Sequence, residues 1–256
     1  MTNDLTALAV LAVERYGYFL DVLRSQAEIA LMRGAGSVTY RTQATTVAQG
    51  AARTYVSAEA ALMTADTLEV AHGSQHRALT ELGLSPSASD KIALPERMTD
   101  FITESVGIMS HMVAAQAERD VSSMAQQIHH QAMRIDLYVR SGKYTRSSAV
   151  AAVAAEDGTR PTFQFVDRIG RKFKSTKHVR DAYRMHLINT ANEVFIDTAA
   201  DYGVEEVVIE HPDPNYKWQG VHLSLTGKHT AIPLYYDVRN EVFHPSSQAR
   251  LTIGAR

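Results

Sequence analysis

The stretch SSAVAAVAAEDGTRPTFQFVDRIGRKF, Ser147–Phe173, holds the change of pattern that decides the fold. Its first part, Ser147 to Ala155, is alanine-rich and favours a helix. Asp157-Gly158 breaks the pattern, and Thr162-Phe163-Gln164-Phe165-Val166 then alternates as a strand does. Asp167 to Gly170 reads as a turn. The period of apolar residues therefore switches from helical to extended within one short segment, and the boundary is placed at Asp157-Gly158.

On the N-terminal side, only Pro86 and Pro95 interrupt the chain up to Asp157. Proline lacks the N–H and clashes with the preceding helical turn, so its scarcity leaves room for long helices. Leu5, Leu8, Ala12, Tyr16, Phe19, Leu23, Ala27 and Ala30 form one stripe, ended by Gly34 and Gly36. A second stripe runs Val47, Ala51, Tyr55, Ala58, Leu62 and Ala65. Gly83 to Pro95 reads as a loop. A third long helix is expected from Glu96, past Phe101, Ile108, Met112, Met124, Ile128 and Ile135, to about Ser141-Gly142. These stripes serve as helix-bundle core or, where a face stays uncovered, as docking surface.

On the C-terminal side, a helix is expected from Ser175 to Tyr202, with Val179, Tyr183, Leu187, Ala191, Val194 and Thr198 inward and Gly203 as its stop. Val204 to Ile209 reads as a strand, His211 to Tyr216 as a loop, and Val221–Leu225 and Ile232–Tyr236 as hairpin-like segments. The expected fold is α+β. A long-helix region over residues 1–157 serves assembly and docking, and a small mixed α/β domain follows over residues 158–256.

Composition narrows the chemistry. The net charge of −2 argues against the whole chain being a polyanion binder. No cysteine is present, which removes thiolate metal sites and thiol nucleophiles. No signal peptide or transmembrane helix is expected, because Met1 to Ala12 has no basic region and no apolar run approaches about 18 residues. Neither GxGxxG nor a Walker loop nor a Gly-x-Ser-x-Gly elbow occurs. His178, His186, His211, His222, His229 and His244 invite a metal, but no HExxH pair is found, and His178 and His186 lie about 12 Å apart along a helix. No catalytic set, metal or cofactor is therefore expected.

The most uneven charge lies between Arg160 and Arg184. Arg168, Arg171, Lys172, Lys174, Lys177, Arg180 and Arg184 are opposed only by Asp167 and Asp181. They read either as a contact surface for phosphate or an acidic protein, or as a solvated helix start. Lys177, Arg180 and Arg184 follow at spacings of three and four and are expected to share an outward face. Trp218, the only tryptophan, is expected to be a buried anchor beside Gly220, with His244 as a further structural residue.

Phe165-Val166-Asp167-Arg168-Ile169-Gly170-Arg171-Lys172-Phe173 resembles a phrase of phage minor capsid proteins. The following pieces keep the same order: Arg180, Tyr183, Arg184 and Asn189 on a helix, Gly203-Val204, His211, Trp218-Gln219-Gly220, Ser224-Leu225-Thr226-Gly227, and Phe243-His244-Pro245. From about Phe163 to Leu251 the chain is similar to minor capsid proteins related to the Mu F head-morphogenesis family. Two cysteines of many members are absent here, at Asp213-Pro214-Asn215 and after His244-Pro245, so hydrogen bonding or packing must hold the C-terminal segment. The resemblance implies a minor structural protein of the phage head near the portal, acting in assembly or genome packaging. Its expected partners are the portal protein, the major capsid protein or both, and packaged DNA, with no membrane. It would be oligomeric in the particle. Its expected places are the head interior or portal vertex, and the host cytoplasm during assembly. Two other readings stand beside it. One is a metal-assisted nuclease or transferase using the C-terminal histidines with Asp197 or Asp213, and the other is a DNA-associated binding module without a virion role.

Overall fold

The computed structural model describes residues 2–34, 38–84, 92–157, 163–167, 169–228 and 231–254. Gly36, the serines at 85, 87 and 89, Gly158, Arg168 and His229 lie outside the described residues.

The fold is α+β. Helices α1 (Thr2–Gly34), α2 (Val38–Glu81), α3 (Glu96–Arg140) and α4 (Arg146–Asp157) precede a hairpin of β1 (Gln164–Val166) and β2 (Lys172–Lys174). Helix α5 (Ser175–Asp201), β3 (Glu206–Glu210), β4 (His222–Ser224), α6 (Tyr235–Val242) and β5 (Arg250–Thr252) follow. β1 and β2 pair antiparallel, and a second antiparallel sheet has the order β4-β3-β5.

The chain forms two compact units that are not consecutive in sequence. One, here the sheet unit, comprises Met1–Leu11, Ala61–Met109 and Arg180–Arg256. The other, the hairpin unit, comprises Ala12–Ala60 and Ser110–Val179. This division does not follow the expected boundary at residues 157 and 158. Helices α1, α2, α3 and α5 each contribute residues to both units, because helices this long extend past the core of one unit.

In the hairpin unit, α1 buries Tyr16, Phe19, Leu20, Leu23 and Ala27 against Ala48 and Ala52 of α2 and Ala117, Val121 and Met124 of α3. The α1 stripe is the expected one. The stripe on α2 is not: Val47 and Leu62 are exposed, and the buried line is Ala44, Ala48, Ala52, Glu59 and Met63. Alanines occur on every side of α2, so the wheel does not single out one face, and the packing partners decide it. On α3, Met112 is likewise exposed and Val113 faces inward, and in the sheet-unit part of the same helix Ile108 is exposed while Ile102, Val106 and Met109 face inward. Glu59 is buried because Arg15 meets it with two hydrogen bonds of 2.8 and 2.7 Å.

In the sheet unit, β3 alternates, with Val207 and Ile209 inward. All six expected inward positions of α5 are buried, Val179 in the hairpin unit and the five from Tyr183 to Thr198 in the sheet unit. Gly203 ends α5 at φ +77°, and its N–H and that of Val204 bond back to the carbonyls of Ala200 and Ala199. Ile232–Tyr236 is not a strand segment. Only a single bridge joins Leu234 to Ser224, and Tyr235 opens α6. The cause is tertiary: Tyr235 is fully buried against Phe243, with ring centroids 6.1 Å apart.

Candidate functional site

The basic stretch begins on the hairpin. Asp167 accepts the N–H groups of Ile169 (3.0 Å) and Arg171 (2.8 Å) on Oδ1, and Arg171 Nε (2.7 Å) on Oδ2. The Arg171 guanidinium, with these backbone donors, holds the Asp167 carboxyl below its ordinary range. Arg171 is thus tied to its own turn, and it also lies 5.7 Å from the Phe173 ring centroid. Lys177, at the start of α5, sits over the same ring at 5.0 Å. Phe173 is half-buried between two exposed neighbours, Lys172 and Lys174, which the strand period places together on the outer face. Neither lysine has an ion partner among the described residues. Arg168 lies outside the described residues.

Arg180 and Arg184 belong to the sheet unit and do different work. Arg180 is exposed and bonds Asp181 at 2.9 and 3.1 Å. Arg184 is not an outward contact residue. It is half-buried and donates to the carbonyls of Pro245 and of Ser247 (2.9 Å for the latter), and desolvation lowers its pKa. The expected row of three outward cations therefore breaks at Arg184. The last of them reaches the C-terminal segment instead, as a guanidinium fork suits two carbonyl acceptors.

The other residues that carry the resemblance form local hydrogen bonds of their own. Gln219 Oε1 accepts the N–H of His211. His211 Nδ1 accepts the N–H of Asp213 (3.0 Å), and its ring stacks on Tyr216 at 4.1 Å. Ser224 is buried, and its Oγ accepts the N–H of Gly227 (3.0 Å). His244 is exposed, and its Nδ1 accepts the N–H of Ser246 (3.2 Å). Gly220, at φ +74°, donates its N–H to Ile209 O at 2.8 Å. Trp218 is half-buried rather than enclosed. Its Nε1 is shielded from solvent with no acceptor among the described residues, and Lys217 Nζ lies 5.2 Å from its ring.

One constellation escaped the reading of the sequence. In the sheet unit, His186 of α5 lies between Thr67 of α2 (Nε2 to Oγ1, 2.9 Å) and Ser105 of α3 (Nδ1 to Oγ, 3.0 Å). Thr67 donates its own proton to Met63 O at 2.6 Å, so it accepts from His186 Nε2–H. Nδ1 is then the acceptor of the Ser105 hydroxyl proton. A hydroxyl donating to an imidazole is the arrangement of a nucleophile and its base. Here the histidine is only 7% exposed, and burial lowers its pKa to about 4. It is a weak base sealed between helices, and the geometry is that of a tie among α2, α3 and α5. A comparable knot in the hairpin unit joins Asp120 to Tyr16 (2.6 Å), Ser175 (2.9 Å) and Gln116 (3.2 Å). Among the described residues no three His, Asp or Glu side chains converge as metal ligands would.

Comparison of the chain with family models, curated proteins and solved structures returns no match.

Proposed function

We propose that the chain is a minor structural protein of a tailed-phage head, placed in the head interior or at the portal vertex and acting in head assembly or genome packaging. The observation that carries this reading is the use made of the recurring residues. Arg184, His211, Gln219, Ser224 and His244 each bond to backbone of their own unit. Side chains that serve catalysis would be expected to converge on a cleft. Residues that hold loops and a C-terminal segment in place suit a scaffold. Among the described residues no helix is long and apolar enough to cross a membrane. The portal protein, the major capsid protein and packaged DNA are the partners this reading supplies. Mass spectrometry of purified particles from the phage that encodes the chain is the test: peptides of this chain in DNA-filled heads support it, and their absence refutes it.

A second reading, a DNA-associated module without a virion role, is favoured by Lys172 and Lys174 standing together on one strand face, with Lys177 over the Phe173 ring next to them in sequence. Contacts to duplex phosphates release counterions, so log affinity should fall with log salt at a slope of about −0.9 per phosphate neutralised. Retention of DNA by Lys172→Glu/Lys174→Glu/Lys177→Glu as strong as that of the parent chain would exclude this reading.

A further inference from the structure

We propose that the chain associates with further copies of itself head to tail through the hairpin unit. The exposed ridge of α1 in one copy seats in the open groove between α2 and α3 of the next. The inference is independent of the virion reading above.

Arg15 and Tyr16 hold α1 against Glu59 of α2 and Asp120 of α3. Two residues of a helix are separated by about 200° of rotation, so Ser57 and Glu118 turn away from α1 where Glu59 and Asp120 turn toward it. Helix α1 thus fills one of the two valleys between α2 and α3. The other is an open groove of about 620 Å³. Its floor is small and apolar, Ala52 and Val56 from α2 with Ala114 and Val121 from α3, and its rims carry Arg53 and Glu118. A valley between two packed helices, floored by small residues, is the shape that a third helix fills.

The same unit presents a ridge. On α1, Tyr18 is 74% and Met32 82% exposed, with Val22 and Ile29 at about 40% between them. Their spacings of four, seven and three are those of a heptad seam, although α1 is already buried on its opposite side. The whole ridge, Tyr18 to Met32, spans about 21 Å and the groove residues on each helix about 12 Å, so the groove takes the Tyr18–Ser25 half of the ridge, about 10 Å long.

Charge selects this pairing over ridge against ridge. Glu14 and Asp21 flank the seam along one edge, and Arg33 lies on the other. The groove offers Arg53 on one rim, opposite in charge to the Glu14 and Asp21 edge that lies alongside the seated segment. Two antiparallel ridges would instead set Glu14 and Asp21 against their own counterparts. A ridge on one face and a groove on another make a heterologous contact, which builds a ring or a filament according to whether its rotation closes.

The chain has no cysteine, so single cysteines report on the contact directly. Val22→Cys and Ser57→Cys are prepared in the full chain, with circular dichroism confirming that each retains its helix content. Under mild oxidation, an equimolar mixture should give a disulfide-linked pair containing one of each, and the chain bearing both should give a ladder. Arg53→Glu should weaken association about tenfold by sedimentation velocity. Adding Glu14→Arg and Asp21→Arg to the same chain should restore it. The proposal is overturned if Val22→Cys alone cross-links as well as the mixture, if the mixture does not cross-link, or if Arg53→Glu leaves association unchanged. None of these results bears on whether the chain enters particles, which mass spectrometry decides separately.

Discussion

Acidification should loosen the sheet unit through one residue, His186. Burial holds its pKa at about 4 against an ordinary value of 6.5, so the unfolded chain takes up a proton more readily than the folded one. Because the folded value is the lower one, the stabilisation is complete above pH 6.5 and is lost as pH falls toward 4. The interval between 6.5 and about 4, at about 1.4 kcal/mol per pH unit, sets the full effect at about 3 kcal/mol. Most of it, about 2–3 kcal/mol, should be gone between pH 7.5 and 4.5. Protonation also reverses the Ser105 bond, because Nδ1 then carries a proton and the hydroxyl must turn to accept it. Trp218 is the only tryptophan and lies in the same unit, so its fluorescence reports on this unfolding during urea titration. Carboxylates elsewhere titrate over the same range, and His186→Gln supplies the control, since it keeps hydrogen-bonding capacity without a titrating ring. The parent chain should lose about 2–3 kcal/mol more than His186→Gln on going from pH 7.5 to 4.5. Parallel stability curves for the two proteins would refute the assignment of a buried, neutral imidazole.

Three further outcomes are expected. Arg184→Met removes both bonds to the C-terminal segment and should cost about 2–4 kcal/mol, with faster hydrogen exchange confined to residues 243–254. If exchange there stays unchanged, the segment is held by packing alone. Tyr16→Phe leaves Asp120 without its 2.6 Å donor in a buried site and should cost about 1–3 kcal/mol. A double-mutant cycle with Asp120→Asn should give a coupling above about 0.5 kcal/mol, and additive effects would show that the two side chains do not interact. Trp218→Ala should cost about 2 kcal/mol by urea unfolding followed by circular dichroism, less than the roughly 3–5 kcal/mol of a fully enclosed ring, because the indole is half-buried.

The α+β class and most element positions were legible because they depend on local signals. Ser175 and Gly203 bracket α5, and the scarcity of proline before Asp157 permits helices of 44 and 45 residues. Facing was legible where one apolar stripe ran unbroken along a helix. On α1 the stripe from Leu5 to Ala30 contains Tyr16, Phe19 and Leu23 and turns inward, although Tyr18 and Met32 stand exposed on another side. On α2 alanine is spread around the wheel, and the buried side is set by what packs there. Three elements were misread or missed, β2, α6 and β5, and the last two depend on contacts far away in the chain. Tyr235 and Tyr236 of α6 bond Glu193, and beside β5 the Thr252 hydroxyl and the Ile253 N–H both bond Glu81. Neither partner can be chosen from the local sequence.

The polar knots show where such reading stops. Tyr16, Tyr183 and His186 lie on largely apolar helical faces, and all three are buried. A buried hydroxyl or ring nitrogen requires a partner, so the sequence alone implies that each of these residues has one. The partners are Asp120, Asp66 and the pair Thr67 and Ser105, between 81 and 119 residues away. Many aspartates and hydroxyl residues compete for those roles, and one helical period of error on α2 or α3 would select the wrong one. The demand for a partner is local, but its identity depends on the relative register of two helices, which only packing settles. That is also why Arg184 read as a surface cation. Its spacing from Lys177 and Arg180 describes the helix correctly, whereas its role depends on where the backbone of Pro245 and Ser247 returns. A charge row on a helix is therefore evidence for a contact surface only at positions that no returning segment covers. Here that condition leaves Lys172, Lys174 and Lys177 as the residues whose reversal should change binding without loosening the C-terminal segment.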